Sequence, residues 1–150
     1  MKKKTLIKTL YIAYLLFIIV FIFSNSLPSI EESAETSGRL LTFINNILEM
    51  LKIPVMESDT FIRKTAHFAE FFVLGASLIG YYNIDKKCNC NNVIKSILFV
   101  CIIAMTDETI QHFTGRGSLV LDVWLDLFGG TVGILSLFQV FNTYNRKNQK

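Results

Sequence analysis

The residues most able to do chemistry form three short clusters, each inside an otherwise apolar stretch of sequence. In chain order they are Arg63, Lys64, His67 and Glu70; Asp107, Glu108 and Gln111; and Asp122 and Asp126. Ionisable groups at membrane depth cost roughly 2.5–3.5 kcal/mol each on insertion scales, so they mark a functional site by default. Three such clusters in one short chain predict a site that combines carboxylates, an imidazole, an amide and cations.

Helical spacing places the members of each cluster near one another. Arg63, His67 and Glu70 follow at intervals of four and three residues, which puts them on one face of a helix. Asp122 and Asp126 are also four residues apart. The segment 129–133 continues that stripe with glycines at 129 and 133, a spacing that lets a second helix backbone approach closely.

These side chains suit reactions at phosphate. A carboxylate beside an imidazole orients it and makes it more basic, so His67 with Glu70 is a candidate general base or nucleophile. Arginine matches phosphate oxygens through its bidentate fork, and the candidate phosphate-binding residues are Arg63, Lys64 and Arg116. A hard divalent cation such as Mg²⁺ would suit the four remaining carboxylates, Asp107, Glu108, Asp122 and Asp126.

The same clusters also have a structural interpretation. Three cations, Arg63, Lys64 and Arg116, would neutralise three of the five acids in a salt-bridge network that fixes helix packing. His67 on its own would more often be a buried core residue, and Gln111 is equally suited to one interhelical hydrogen bond. The surplus of two acids (five minus three) together with a histidine favours a functional site.

Composition indicates a membrane protein rather than a nucleic-acid binder. The 150 residues are 51% hydrophobic with a mean hydropathy of +0.43, and the apolar residues fall in blocks. The net charge of +3 comes from basic residues at the ends of those blocks, not from a stripe interleaved with aromatics. Three cysteines form no disulfide framework, and Cys88 with Cys90 is weak evidence for metal binding.

Four apolar segments predict an all-α polytopic membrane protein with a single domain over residues 1–150. The predicted spans are about 6–23, 65–82, 93–113 and 119–141, with an external segment over 24–62. Lysines and arginines lie before the first span, between the second and third spans, and after the fourth span. This distribution predicts a protein of the bacterial plasma membrane with both termini in the cytoplasm. A cleaved signal peptide is the alternative for the first segment, because Ser24-Asn25-Ser26 offers small residues after it.

The external segment is expected to contain an amphipathic helix. Pro28 ends the preceding helix, and Ser29 followed by Glu31 and Glu32 is typical of a helix start. Leucines and isoleucines between Leu40 and Leu51 recur at helical spacing. This helix would lie on the outer membrane surface or pack against the other helices.

The polar clusters resemble the signatures of the VanZ-like family. The first signature matches RKTAHFAEF at residues 63–71. The second matches DETIQHFTGR at 107–116, followed by DVWLD at 122–126 and Gly129. The stretch FSNS at 23–26 is similar to the serine-bearing segment of that family. The resemblance implies a small four-helix membrane protein related to one associated with low-level teicoplanin resistance, and implies no settled reaction.

Two functions therefore stand side by side. The family's buried polar residues resemble those of integral membrane proteins proposed to act on phosphate-bearing lipid head groups. This implies an enzyme whose partner is a membrane lipid or lipid-linked cell-wall precursor at the outer leaflet. The alternative is a non-catalytic protein that binds an envelope component or antibiotic through residues 29–56, with the polar residues as a structural network. No nucleic-acid partner is expected, and the sequence leaves the oligomeric state open.

Overall fold

The computed structural model describes residues 2–52, 59–85, 89–115 and 120–147. The elements in these ranges are five helices, which confirms the predicted all-α class. In chain order they are α1 (Lys2–Ser26), α2 (Ile30–Met50), α3 (Asp59–Asn83), α4 (Cys90–Phe113) and α5 (Val120–Lys147). Each of the four predicted apolar segments lies in its own helix, α1, α3, α4 or α5.

The start of α2 agrees with the sequence. The Ser29 side chain accepts a hydrogen bond from the backbone N–H of Glu32, and the Glu32 carboxylate accepts one from the backbone N–H of Ser29. This reciprocal arrangement satisfies two backbone donors that the first helical turn cannot pair internally. Since α1 ends at Ser26, two residues before Pro28, the chain turns sharply between the first two helices.

Helix α3 is central and packs against all four other helices, most extensively against α5. Glycines make that contact close. A Cβ atom on Gly129 would stand 2.6 Å from the backbone oxygen of Phe68, and one on Gly133 would overlap the backbone oxygen of Phe72. The close approach predicted from the glycine spacing is therefore confirmed. Apolar side chains fill the space beside it, among them the buried Phe71, Leu74 and Ile134.

The structure supports the prediction of a membrane protein but not the predicted number of four spans. Two helices are long and apolar enough to cross a membrane, within Lys3–Ser26 and Val120–Asn145. The described parts of α3 and α4 do not meet the same standard, and both carry several charged residues. The number of spans and the sides on which the termini lie therefore remain predictions.

Helix α2 contacts α3, as the packing interpretation of the external segment expected. It contacts no other helix extensively among the described residues. Its apolar stripe is only partly covered, because Leu40 and Ile47 stay exposed while Leu41 and Ile44 are half-buried. A helix attached along one neighbour leaves room between itself and the other helices.

The opposite end of α3 is tied to α1 by charge. Asp85 follows α3, and its carboxylate pairs with Lys4 at 2.8 Å and with Lys8. Hydrogen bonds from Lys4 and then Lys8 hold the pKa of Asp85 at about 2, below its ordinary 3.8. Tyr11 and Tyr81 add an aromatic contact between the same two helices, with ring centroids 6.2 Å apart.

Candidate functional site

Helix α3 carries the first polar cluster on the face that its spacing predicts. Its cationic residues lie toward the helix start and are half-buried. Lys64 forms an ion pair with Asp122 of α5, with Nζ and Oδ1 3.1 Å apart. Glu70 accepts a hydrogen bond at 2.7 Å from the side-chain amide of Asn25, which belongs to α1. This cluster therefore joins three helices.

Helix α4 supplies the most deeply buried polar pair. Asp107 has no exposed surface, and Gln111, one turn later, is also buried. The Gln111 amide donates to Asp107 Oδ2 at 2.8 Å and to the Ser26 hydroxyl at 3.3 Å. Asp107 Oδ2 lies 3.8 Å from Nδ1 of His67. Asp107 of α4 therefore places a carboxylate close to the imidazole of His67, in addition to the predicted neighbour Glu70 on α3.

Helix α5 brings Asp126 to the same place. Asp126 is 2% exposed, and its Oδ1 has no hydrogen-bond partner among the residues that the structure describes. One ligand atom each from His67, Asp107 and Asp126 lie within 4.8 Å of one another. The structure therefore brings three helices together at one buried point, with an imidazole and two carboxylates facing each other.

A small cavity and a larger cleft meet at this point. The small cavity, here called the inner pocket, has a volume of about 30 Å³. It is lined by Arg63, Lys64, His67, Gln111, Asp122, Leu125 and Asp126. The larger space, here called the α2 cleft, has a volume of about 450 Å³ and lies between the end of α1, α2 and α3. Arg63 and His67 line both spaces, so the cleft and the inner pocket adjoin at these two side chains.

The α2 cleft has walls of mixed character. Its apolar lining comes from Pro28, Leu40, Ile62 and Ala66. Its polar lining comes from Asn25, Glu32, Ser33, Thr36, Ser37, Arg63, His67 and Glu70. A space of this size, with apolar walls and several polar groups, lies in the usual range for a small-molecule site.

Not every predicted site residue lies at the inner pocket. Glu70 lines the cleft and not the inner pocket, and Asp107 is not among the lining residues of the pocket, although it lies close to His67 and Asp126. Glu108 is buried but lines a separate groove between α4 and α5, beside His112. Arg116 falls outside the described residues.

Residues of α1 and α2 also contribute to the site, and the sequence did not predict this. Asn25 and Ser26 both hydrogen-bond to site residues, and three hydroxyl residues of α2 line the cleft. The signal for the first two was present, because FSNS at 23–26 matched a family segment. For α2 there was no signal, since small polar residues on a helix are common on solvent-exposed faces.

The described helices define an all-α protein, and two of them are long and apolar enough to indicate a membrane protein. Its family is shown directly, because the VanZ/LLP1 family model matches residues 11–142, most of the chain. The protein belongs to the VanZ/LLP1 family. Comparison with curated proteins and with solved structures found no match.

Proposed function

We propose that the protein binds a phosphate-bearing lipid head group, or a lipid-linked cell-wall precursor, and catalyses hydrolysis or transfer at its phosphate. One observation carries the proposal: Arg63 and His67 line both the α2 cleft and the inner pocket. A molecule that enters the 450 Å³ cleft therefore meets a cation and an imidazole that also border the inner pocket. This geometry suits a ligand with an apolar part and a charged end.

The cations at the pocket have the chemistry to hold the phosphate. Arg63 offers a bidentate fork, and Lys64 offers a point charge that Asp122 positions at 3.1 Å. Arg116, outside the described residues, is proposed as a third phosphate ligand from its place in the sequence. Partial burial of Arg63 and Lys64 strengthens their attraction for an anion, because the surrounding dielectric is lower than in water.

The proposed reactive groups are an imidazole and the carboxylates near it. His67 is the candidate proton acceptor or nucleophile, and Asp107 at 3.8 Å and Glu70 one turn along α3 are the carboxylates that orient it. Gln111 holds Asp107 in place through its 2.8 Å hydrogen bond. Asp122, Asp126 and Glu108 complete the proposed catalytic set. Proton transfer by a positioned side chain contributes typically about 10²–10⁴-fold to a rate.

The site is proposed to face the outer leaflet. With four spans and both termini in the cytoplasm, the start of α3, the end of α4 and the start of α5 lie at the outer face. Helix α2 would then rest at the outer membrane surface, and the cleft beside it would admit lipid from that leaflet. A role in teicoplanin resistance is proposed on the same basis, through an altered lipid or precursor that the antibiotic meets at the cell surface.

The test is a direct assay of lipid turnover. The purified full-length protein in nanodiscs would be incubated with a defined phospholipid mixture, and released head groups measured by mass spectrometry. The lipid profiles of cells that carry wild type or His67→Ala at equal abundance would be compared in parallel. Wild type is expected to change the head-group profile and His67→Ala to abolish the change.

The chain offers a matched control, because its second histidine lies elsewhere. His112 is exposed and lines the separate α4–α5 groove, so His112→Ala should retain full activity. If wild-type protein binds phospholipid saturably but leaves the lipids unchanged, the enzyme hypothesis is wrong and the non-catalytic binder is favoured. Equal losses in His67→Ala and His112→Ala would also contradict the proposed site.

A further inference from the structure

The inner pocket has the size and the ligands of a metal site. His67, Asp107 and Asp126 come from three different helices, and one ligand atom of each lies within 4.8 Å of the others. The pocket beside them encloses about 30 Å³, which exceeds the roughly 10–15 Å³ needed to hold one water-sized particle. An ion fits this space, whereas a lipid head group does not.

Asp126 gives independent evidence for a ligand. It is 2% exposed, it lines the pocket, and its Oδ1 has no hydrogen-bond partner among the described residues. A buried carboxylate without a partner is costly, so such groups are normally paired or bound to a metal. The orphaned oxygen belongs to one of the same three residues that converge.

The balance of charge also favours a bound cation. Four other acids, Asp107, Glu108, Asp122 and Glu70, act electrostatically on Asp126. The described lining of the pocket contributes two cations, Arg63 and Lys64, and Lys64 is already paired with Asp122. A divalent ion at this point would offset the mutual repulsion of these carboxyl groups.

We propose that His67, Asp107 and Asp126 bind one divalent metal ion, Zn²⁺ or Mn²⁺. Imidazole suits Zn²⁺ and carboxylates suit both Zn²⁺ and Mn²⁺, whereas Mg²⁺ prefers oxygen ligands and several waters. Gln111 serves as the supporting residue, because its amide fixes Asp107 Oδ2 at 2.8 Å.

This inference supplies a cofactor for the proposed reaction but stands without it, since metal binding is measured with no lipid present. Three protein ligands leave an open coordination position, where a metal polarises a phosphoryl oxygen as a Lewis acid. Arg63 lines the pocket and would hold the same phosphate from another side. In this arrangement His67 binds the metal, and this role replaces the role of proton acceptor proposed for it above.

The experiment measures metal affinity of the full-length protein in detergent. A Cys88→Ser/Cys90→Ser background removes the closely spaced pair of thiols that would compete for zinc. The protein is stripped with a chelator and titrated with Zn²⁺, Mn²⁺ and Mg²⁺, and stoichiometry and thermal unfolding are followed. We expect one Zn²⁺ or Mn²⁺ per chain and a raised unfolding temperature.

Two isosteric variants and one control make the result specific. Asp126→Asn and His67→Gln should each weaken binding by more than the roughly 10–100-fold that loss of a supporting residue costs, and should remove the thermal shift. His112→Ala should bind as the background does. Absence of stoichiometric binding, equal affinity in background and variants, or binding of Mg²⁺ alone would overturn the proposal. Absence of metal binding together with lipid turnover would overturn the metal site while leaving the proposed function intact.

Discussion

Gly75 of α3 lies directly against Gly130 of α5, and a Cβ atom on Gly75 would overlap the backbone oxygen of Gly130. The two helix backbones therefore touch near the middle of their lengths, below the polar site. Such contact maximises van der Waals packing where the hydrophobic effect between helices is weak. It also fixes how far Asp126, one turn before Gly130, stands from His67 on α3.

The first prediction tests this contact. Gly133→Ala should destabilise the protein by more than about 1–3 kcal/mol, the usual cost of overpacking, because its Cβ would meet the backbone of Phe72. The measurement is thermal unfolding of the purified protein in detergent. Gly38→Ala in α2 is the control, since a Cβ there meets nothing within 4 Å. It should leave stability equal or raise it by about 0.5–1 kcal/mol. A similar response of both variants would contradict close α3–α5 packing.

The second prediction concerns the charged contact between α1 and α3. Because hydrogen bonds from Lys4 and Lys8 lower the pKa of Asp85 to about 2, its contribution to stability is complete above 3.8 and is lost as pH falls toward 2. Asp85→Asn should therefore lower the unfolding temperature at neutral pH. The difference from wild type should shrink between pH 3.8 and about 2 and then vanish.

The control for that experiment is Glu49→Gln, a neutralised acid on an exposed position of α2. It should give little change at any pH. The effect of Asp85→Asn should be small, because the side chains that pair with it are partly exposed and solvent screens them. A difference that persists unchanged below pH 2 would mean that Asp85 acts through packing and not through its charge.

Much of this fold follows from local sequence rules. The helix start at Ser29 and the close approach at Gly129 and Gly133 depend on residues a few positions apart, and both occur as predicted. The structure adds that Ser29 and Glu32 form a capping box. The direction of Glu108 depends on how α4 is rotated against α5. That rotation is set by packing over the whole bundle, so adjacent Asp107 and Glu108 face different spaces.

The α2 cleft was not predicted, because it too depends on how the helices pack. A helix of mixed polarity can lie on a membrane or against a bundle, and its sequence fits both. The hydrogen bond between Asn25 and Glu70 joins residues 45 positions apart, and no local pattern specifies such a pairing. The helices that carry the site could be predicted, whereas the cleft beside it required the tertiary structure.

The third prediction addresses the membrane topology. With four spans, a reporter fused after residue 150 should behave as cytoplasmic, and a tag near Glu49 should be labelled from outside intact cells. The reason is the distribution of lysines and arginines, which accumulate on the cytoplasmic side of a membrane. Labelling of the Glu49 tag only after the cells are permeabilised would reverse the topology and move the site to the inner leaflet.

The fourth prediction tests the α2 cleft as the route of the lipid. Thr36 is exposed and lines the cleft, so Thr36→Phe should obstruct it and reduce turnover by about tenfold or more, since misplacing a substrate by 1 Å can cost about 100-fold. Thr42→Phe introduces the same bulk at an exposed threonine of α2 that is not among the cleft-lining residues, and should keep activity. Head-group release is the measurement for both. Full activity of Thr36→Phe would exclude this cleft as the substrate route.

The fifth prediction separates a catalytic site from a structural network. If the buried charges only stabilised packing, removal of one partner would cost roughly 3–5 kcal/mol and folded protein would be lost. Asp126 instead lies among four other acids, so Asp126→Asn removes repulsion and should leave the unfolding temperature of the metal-free protein equal or higher. Glu70→Gln keeps a side-chain oxygen that can accept the hydrogen bond from Asn25, so this variant should also fold.

Both variants are expected to lose lipid turnover and any resistance phenotype while they accumulate in the membrane at wild-type levels. The two measurements are folded abundance, by size-exclusion chromatography in detergent, and activity at equal protein. Loss of folded protein in both variants would favour the structural network, because a merely catalytic acid tolerates isosteric replacement. Full activity in both would contradict the proposed enzyme function, since a reaction that uses Glu70 and Asp126 could not proceed unchanged without either carboxylate.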